Sequence, residues 1–521
     1  MGTEALRTLG RWGLRVVDAA ASHPLLGRLG ADAPDARGLL EHPALRAAVL
    51  EQADDDVLAL ADEVPDAVLA VVRAAIGDAG PGTGHAPWLG LLTLPAVDGE
   101  PTPAHGLVLP DGPAADLLDP RVLAPVTLEA VERWGAATLV AVGVRDDLAV
   151  VHVADVVAEP AAIDPDGTDD ASLAAQSLDA WPDYLAHLST TLGGGEYVGD
   201  VDAVADLDAV EEGRWPDVLA RLASVPALRR ALLDRVRGER GATAASYTAW
   251  WLRERGPDRL GGIFAIDGDE TEPTLRDVLP AVPDVLRGLD GGIQRALGGV
   301  GRFDELGADA WVQVLDALGH PGSPVDARTA VALWRGIAAA AARSDGGPVA
   351  RPAERIPALV APAQVAVGHA DDAAVAEQPM WWQRTVVAAM VPATRAHADA
   401  LAALLDLPLA TELAAGEIDD ADRCVEQPVP AEVSALLDDA PATWWEHEEL
   451  TVDGAPVDWW VTGAGVQAVV RAVHAAGLAA GLAQAGGRWS ARHAIEAVLV
   501  APERAAELVL GTVLDDPVDP D

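Results

Sequence analysis

The chain has 521 residues and carries 82 aspartate and glutamate side chains against 36 arginines, which gives a formal net charge of −46 at pH 7. It contains no lysine and no asparagine. Without lysine there is no phosphate-loop lysine, no Schiff-base lysine and no kinase-type ATP clamp. Without asparagine there is no asparagine ligand for a nucleotide-bound magnesium ion. We therefore expect no nucleotide turnover and no bound cofactor.

The strongly negative charge also limits the partners. It repels nucleic acid and anionic membrane surfaces, and it keeps the chain in solution. The sequence has no uncharged apolar run of about 18 residues, which a membrane-spanning helix would need. Residues 1–21 are amphipathic and charged, unlike a signal peptide. We expect a cytoplasmic protein that binds protein partners and neither nucleic acid nor a membrane.

The composition predicts a folded protein of several modules, because half of the residues are hydrophobic and each module can bury a core. We predict an α+β fold in which helical modules alternate with small antiparallel sheets and hairpins, without a Rossmann or P-loop core. The predicted modules are a helical module at 1–76, a small α+β unit at 88–158, a helical module at 173–245, an α+β unit with helices at 246–345, a β-hairpin plus helix at 350–413, and a hairpin plus helices at 425–513. A disordered acidic tail is predicted at 514–521.

In the N-terminal half, apolar residues recur at helical spacing from Leu39 to Val72. A linker rich in glycine follows at 77–87, and short strands flank an Asp98–Gly99 turn. The next predicted elements are a short helix at 125–135, strands at 137–144 and 148–157, and an exposed acidic loop at 160–172.

Helical spacing returns at 173–245 and again at 303–343, with short strands and turns at 246–285. A β-hairpin or meander is predicted at 355–378, and a short helix at 395–405. In the C-terminal module, Asp453–Gly454 predicts the turn of a hairpin.

Two glycine-rich motifs raise the question of nucleotide binding. Residues 78–82 have the D-x-G-x-G form, but they follow a helix where a purine site needs a strand, so we interpret them as an interdomain linker. The run Gly193–Gly195 also follows a helix and lies among acids, whereas a phosphate cradle has a strand before it and a helix after it. We interpret this run as a helix stop.

One cluster raises the question of a metal site. The run Glu446–Glu449 places His447 between the carboxylates of Glu446 and Glu448, and such a set could hold a metal ion. The same pattern is typical of a solvated strand start in an acidic protein, and we favour that interpretation. We therefore nominate no metal site and no catalytic residue, and the metal-dependent enzyme remains the alternative.

The remaining reactive side chains indicate no chemistry of their own. Cys424 is the only cysteine, so it forms neither an internal disulfide nor a cysteine-based zinc site, and we expect a buried, inert thiol. We expect His474 and His493 to form surface pairs, the second with Glu496 at i,i+3 spacing.

Tryptophan is overrepresented, with sixteen residues against two phenylalanines and three tyrosines. Several are adjacent, in the pairs Trp250–Trp251, Trp381–Trp382, Trp444–Trp445 and Trp459–Trp460. In an extended segment the two side chains of such a pair point to opposite faces, one inward and one outward. Packing in the core and at its rim accounts for such pairs. The sharper alternative is an interaction surface, because exposed tryptophan is a common hot-spot residue. We take Trp444, Trp445, Trp459 and Trp460 as candidate interaction residues.

Three stretches, taken together, resemble one family. They are WLGLLTLPAVDGEPTPAHGLVLPDGPAADLLD at 88–119, LAALLDLPLATEL at 401–413, and HEELTVDGAPVDWWVTGAGVQAVVRAVHAAGLAAGLAQAGGRWSARHAIEAVLVAPE at 447–503. They resemble the region downstream of the ATPase domain in large actinobacterial proteins that begin with a sacsin-like, heat-shock-chaperone-type (GHKL) ATP-binding domain.

The resemblance implies a non-catalytic scaffold, or a region that binds a client or partner, working with such an ATPase domain in the same polypeptide or in trans. The glutamate and asparagine boxes of the family's nucleotide site have no counterpart here, so no functional residue is carried over. Two alternatives stay open. One is an enzyme with an unrecognised carboxylate/histidine site near Glu446–Glu449, and the other is a stand-alone protein-interaction protein.

Overall fold

The computed structural model describes residues 9–10, 17, 23–28, 36–54, 63–79, 86–162, 164, 167–257, 260, 262–269, 271–343, 352–419, 423–437 and 439–511. Most of the D-x-G-x-G motif at 78–82 and the whole of the predicted tail at 514–521 lie outside the described residues. Helices predominate and the sheets have two to four strands, which confirms the predicted α+β fold.

The helices are α1 (Pro24–Arg28), α2 (Ala36–Leu40), α3 (Pro43–Asp54), α4 (Glu63–Ala79), α5 (Pro113–Leu117), α6 (Leu128–Trp134), α7 (Ala136–Ala141), α8 (Asp170–Gln176), α9 (Trp181–Leu192), α10 (Trp215–Ser224), α11 (Pro226–Leu233), α12 (Tyr247–Glu254), α13 (Pro273–Val278), α14 (Gly291–Ala296), α15 (Ala308–Asp316), α16 (Ala327–Arg343), α17 (Ala398–Leu405), α18 (Ala410–Leu413), α19 (Ala475–Ala485), α20 (Arg492–Val500) and α21 (Ala505–Gly511).

The strands are β1 (Thr93–Pro95), β2 (Pro101–Pro103), β3 (Leu107–Val108), β4 (Ala124–Pro125), β5 (Val150–Val157), β6 (Tyr197–Val204), β7 (Val236–Arg237), β8 (Thr243–Ala244), β9 (Phe264–Ala265), β10 (Gly299–Val300), β11 (Arg355–Ala361), β12 (Gln364–His369), β13 (Ala373–Ala376), β14 (Ala389–Pro392), β15 (Cys424–Pro428), β16 (Thr443–His447), β17 (Thr451–Val452), β18 (Ala455–Pro456), β19 (Trp459–Thr462) and β20 (Val469–Ala472). Not all pairs are antiparallel, since β3 with β4, β13 with β14 and β16 with β20 run parallel.

The chain divides into two compact units, which comprise residues 1–262 with 282–299 and residues 263–281 with 300–521. We call them the first and the second unit. The finer division into six modules stays a prediction.

Helices form the N-terminal core of the first unit, and they include a segment that we expected to be a strand. Thr127 caps α6 by accepting a hydrogen bond from the backbone N–H of Ala130. Gly135, with φ of +80°, ends α6 and starts α7. The strand prediction for 137–144 is therefore wrong over α7. Its run of apolar residues lacks polar alternation, and Leu139 is instead buried against the helical core.

The rest of the first unit contains an antiparallel ribbon of β5 and β6. The strand predicted at 148–157 is confirmed as β5, whereas the helical prediction for 173–245 missed β6, β7 and β8. The prediction of only short strands and turns at 246–285 is wrong over the helices α12 and α13. The helix stop at Gly193–Gly195 is confirmed, because α9 ends at Leu192 and Gly193 has φ of +113°. Tyr184 and Tyr247 meet edge to face in the adjoining core, with ring centroids 5.5 Å apart.

The second unit contains two four-stranded sheets with the orders β12-β11-β14-β13 and β15-β16-β20-β19. The β-hairpin predicted at 355–378 is confirmed as β11 and β12. The alternative of a meander is wrong, because β13 pairs in parallel with β14 and does not lie beside β12. The helix predicted at 395–405 is confirmed as α17. Asp453 and Gly454 both have positive φ and join β17 to β18, so the predicted hairpin turn is confirmed. Buried side chains from α15, α16 and α17 pack with the first sheet in one core.

Helix α19 packs on the second sheet through glycines. A Cβ atom at Gly477 would lie 2.6 Å from the carbonyl oxygen of Asp458, and one at Gly481 would lie 2.7 Å from a methyl group of Val470. Both distances are shorter than van der Waals contact, so the close approach of helix and strand requires glycine at both positions. His474 caps this helix by accepting a hydrogen bond at Nδ1 from the N–H of Gly477, at 3.0 Å.

We expect the substitution Gly477→Ala to destabilise the protein by about 1–3 kcal/mol, because the added methyl group meets rigid backbone. The clash outweighs the gain of about 1 kcal/mol in helix propensity. Urea unfolding followed by circular dichroism measures the change. Ala476→Ser, at an exposed position of the same helix, is the control and should change stability by less than about 0.5 kcal/mol. Equal stability of the two variants would contradict the packing.

Candidate functional site

A cleft with a volume of about 1990 Å³ lies within the second unit. Its lining comes from α16, the β11–β12 hairpin, residues 377–383, the segment leading into β19, and the region from α19 to the start of α20. Four tryptophans contribute to the lining, namely Trp334, Trp382, Trp459 and Trp489. We call it the tryptophan cleft.

One wall of the tryptophan cleft is formed by residues 377–383, which we call the wall segment. It follows β13 directly and leads through a short 3₁₀ turn at Pro379–Gln383. At one end, Gln484 of α19 donates a hydrogen bond from Nε2 to Oε1 of Gln378, at 2.9 Å. At the other end, Gln383 donates to the carbonyl oxygen of Trp459 at 3.0 Å and accepts from the N–H of Asp458 at 2.8 Å. Hydrogen bonds therefore hold the wall segment at both ends.

Trp489 contacts two of the other three tryptophan rings. Trp382 meets Trp489 edge to face with centroids 5.8 Å apart, and Trp459 lies 5.9 Å from Trp489. The guanidinium of Arg492 stacks on the ring of Trp489 at 4.7 Å. The fourth, Trp334, is fixed separately, because its Nε1 donates to the carbonyl oxygen of Pro357 at 2.7 Å. The aromatic lining is thus largely preorganised.

Several polar groups of the lining are buried without a partner among the described residues. They are both carboxylate oxygens of Glu377, the indole Nε1 of Trp382 and Oε1 of Gln484. Buried polar groups are nearly always paired in folded proteins. A concave, mostly apolar site in which a few unpaired polar groups converge is the usual form of a binding site.

The four tryptophans proposed as interaction residues lie in different environments. Trp459 and Trp460 are both buried, so the expectation that one of a pair faces solvent is wrong for them. Both faces of β19 are covered, since Trp459 packs on α19 and Trp489, while Trp460 packs on Trp381 at 5.0 Å. Of the four, only Trp459 lines the cleft. Trp444 and Trp445 are half-buried elsewhere on the sheet.

The structure does not bring the residues of the Glu446–Glu449 run together as a site. Glu446 is exposed and accepts a hydrogen bond from Gln427. Glu448 and Glu449 are among the residues that line the cleft. Among the described residues there is no group of three or more histidine, cysteine, aspartate or glutamate side chains that could hold a metal ion.

His447 itself is not at a solvated strand start, and this expectation is corrected. Its side chain is only 2% exposed, and Nε2 lies 3.0 Å from Nη1 of Arg471. Burial lowers the pKa of His447 below its ordinary value, and the positive charge of Arg471 lowers it further. A neutral imidazole that accepts a hydrogen bond from Arg471 fits both the short distance and the lowered pKa.

Cys424 lies beside the same arginine. Its Sγ is 3.7 Å from Nη1 of Arg471, and it is partly exposed, so the prediction of a buried thiol is wrong. The predicted surface pairs of histidine are confirmed, since His474 lies 3.6 Å from Asp458 and His493 lies 3.9 Å from Glu496.

Comparison with protein-family models, with curated proteins and with solved structures found nothing that matches this chain. Over the part of the chain that the structure describes, every helix is too short or too polar to cross a lipid bilayer. The arguments on function therefore come from the tryptophan cleft itself. The sequence interpretation missed Glu377, Trp382, Trp489 and the three glutamines, although the adjacent pair Trp381–Trp382 was a visible signal.

We expect an NMR titration of the His447 ring to give a pKa below 6.5, the ordinary value for histidine. Because the unfolded chain then binds a proton at higher pH than the folded one, this histidine reduces the stability of the protein as the pH falls below about 6.5. The substitution Arg471→Gln should raise the pKa toward the ordinary value without reaching it, since burial remains. The control Arg504→Gln, in the same unit, should leave the titration unchanged. A pKa that does not respond to Arg471→Gln would contradict the contact.

Proposed function

We propose that this chain is a non-catalytic scaffold that binds a segment of a partner or client protein in the tryptophan cleft. The observation that supports this best is the combination of four tryptophans and unpaired polar groups in one preorganised cleft. Tryptophan is the residue type most enriched among interface hot spots. The hydrogen bonds that hold the wall segment reduce the entropy that binding must overcome.

The size of the cleft favours a polypeptide over a small molecule. Its volume of about 1990 Å³ is about twice the upper end of the roughly 300–1,000 Å³ usual for small-molecule pockets. A peptide backbone offers both a donor and an acceptor at each residue. The unpaired indole N–H of Trp382 and the unpaired Oε1 of Gln484 are one donor and one acceptor of the kind that such a backbone would satisfy.

The negative charge of the chain disfavours two other classes of partner, nucleic acids and lipid membranes. A net charge of −46 opposes binding to nucleic acid and to anionic lipid surfaces. We therefore propose protein partners, and the cytoplasm as the place where they meet.

The link to an ATPase rests on the sequence resemblance. We propose that a heat-shock-chaperone-type ATPase domain, in the same polypeptide or in trans, acts together with this scaffold. In such a system the chain described here would hold the client, and the nucleotide chemistry would belong to the other domain.

Selection of a random peptide library of about twelve residues on the full chain tests the binding role. We expect enriched peptides whose affinity falls by about tenfold or more in Trp382→Ala and in Trp489→Ala, because truncating a hot-spot tryptophan costs about 2 kcal/mol or more. Titration calorimetry with the enriched peptides measures the change.

Trp134→Ala is the matched control, since Trp134 is a half-buried tryptophan of the first unit that stacks with Arg73 and Arg133. It should change the affinity by less than about twofold, because it does not line the cleft. If the selection yields no peptides, or if all three variants bind them alike, the proposed function is wrong.

A second test concerns catalysis. Because the chain lacks lysine and asparagine, we expect the purified protein to release no phosphate from ATP above a heat-treated control. A phosphate-release assay with magnesium at saturating ATP measures this. Turnover that survives purification to homogeneity would refute the assignment of a non-catalytic scaffold.

A further inference from the structure

We infer that the partner segment presents a cationic side chain, an arginine, to the carboxylate of Glu377. This inference rests on the proposed function and identifies the chemistry of the bound segment. Three observations carry it, namely the unpaired carboxylate, the aromatic rings of the same cleft, and the lack of an ion pair between Glu377 and the described arginines of the lining.

Glu377 is the strongest unsatisfied group in the cleft. Both of its carboxylate oxygens are buried, and neither has a hydrogen-bond partner among the described residues. Burying an ionised carboxylate without a partner is costly. In the ionised carboxylate both oxygens only accept hydrogen bonds, so a donor is the group that satisfies them. A group with several N–H donors and a positive charge is the complement of such a site.

The aromatic lining selects the same chemistry. Trp382 lies on the same wall segment as Glu377, and it contacts Trp489 across the cleft lining. Tryptophan has the ring that attracts cations most strongly. The stacking of Arg492 on Trp489 at 4.7 Å shows that a guanidinium already adopts this geometry in the cleft. A planar guanidinium can stack on a ring and donate two parallel hydrogen bonds to a carboxylate, which an ammonium group cannot do.

Within the described ranges, no arginine donates a hydrogen bond to Glu377. Arg384, which follows the wall segment, is buried and lies 3.8 Å from Asp453 instead. Arg492 is held at Trp489, to whose carbonyl oxygen it donates a hydrogen bond. In the described residues, neither Arg335 nor Arg395, the other two arginines of the lining, forms an ion pair with Glu377. With no described arginine paired to Glu377, its positive partner is the arginine of the bound segment.

Parallel peptide selections on the wild type, Glu377→Gln and Glu426→Gln test the inference. Glu426 is an exposed acid outside the cleft, so its substitution changes the net charge equally and controls for general attraction of cations. We expect an arginine to recur at one position in peptides selected on the wild type and on Glu426→Gln, and not in those selected on Glu377→Gln. Replacing that arginine by citrulline, which is neutral and of nearly the same shape, should weaken binding to the wild type about tenfold and to Glu377→Gln hardly at all.

The unliganded stability of the variant provides a separate readout. Glu377→Gln should melt at the same temperature as the wild type or higher, because it removes a buried carboxylate with which no described residue pairs. Weaker binding then reflects the lost charge and not a lost fold. If Glu377→Gln fails to fold, the affinities of the arginine and citrulline peptides for the wild type are the remaining test. Equal affinities of these two peptides overturn the inference.

The remaining outcomes separate the inference from the proposed function. Peptides that bind through Trp382 but carry no recurrent arginine overturn the inference and leave the proposed function standing. A selection that yields no peptides overturns both.

Competition by free agmatine, a small guanidinium compound, tests the source of the charge. If agmatine binds as tightly as the peptide and depends equally on Glu377, the ligand is a small cation and the assignment to a partner protein is wrong.

Discussion

The tryptophan cleft depends on the side-chain amide of Gln383. This one group donates to the carbonyl oxygen of Trp459 and accepts from the N–H of Asp458. It thereby pairs with the margin of β19 much as a residue of a neighbouring strand would. A carboxamide can do this because it carries a donor and an acceptor in one plane. The orientation of Glu377 and Trp382 follows from this contact together with the bond between Gln378 and Gln484 at the other end of the wall segment.

The local parts of the fold could be predicted from the sequence, because their causes are local. The hairpin at Asp453–Gly454 follows from two residues that tolerate positive φ, and the stop of α9 follows from Gly193. The strand predicted at 137–144 was wrong because a short run of β-branched and apolar residues has no period that distinguishes a strand from a buried helix. There the helical neighbours decided the conformation.

The candidate site could not be predicted, because strand order creates it. In the second sheet, β20 lies between β16 and β19, and its parallel pairing with β16 brings Arg471 beside His447 and Cys424. In the sequence these three residues lie in separate strands. The same applies to the cleft, where Gln378 meets Gln484 across 106 positions of the chain. Pairs of tryptophans indicated that aromatic packing is important here, but not which ring faces the cleft.

Strand β15 forms one margin of the second sheet and, in the described part of the chain, is paired on one side only. A bare strand margin invites the addition of strands from other molecules, which is how filaments grow. Here the margin carries the exposed acid Glu426 and ends at Pro428, which has no N–H to offer. This margin is thereby protected from polymerisation along the sheet.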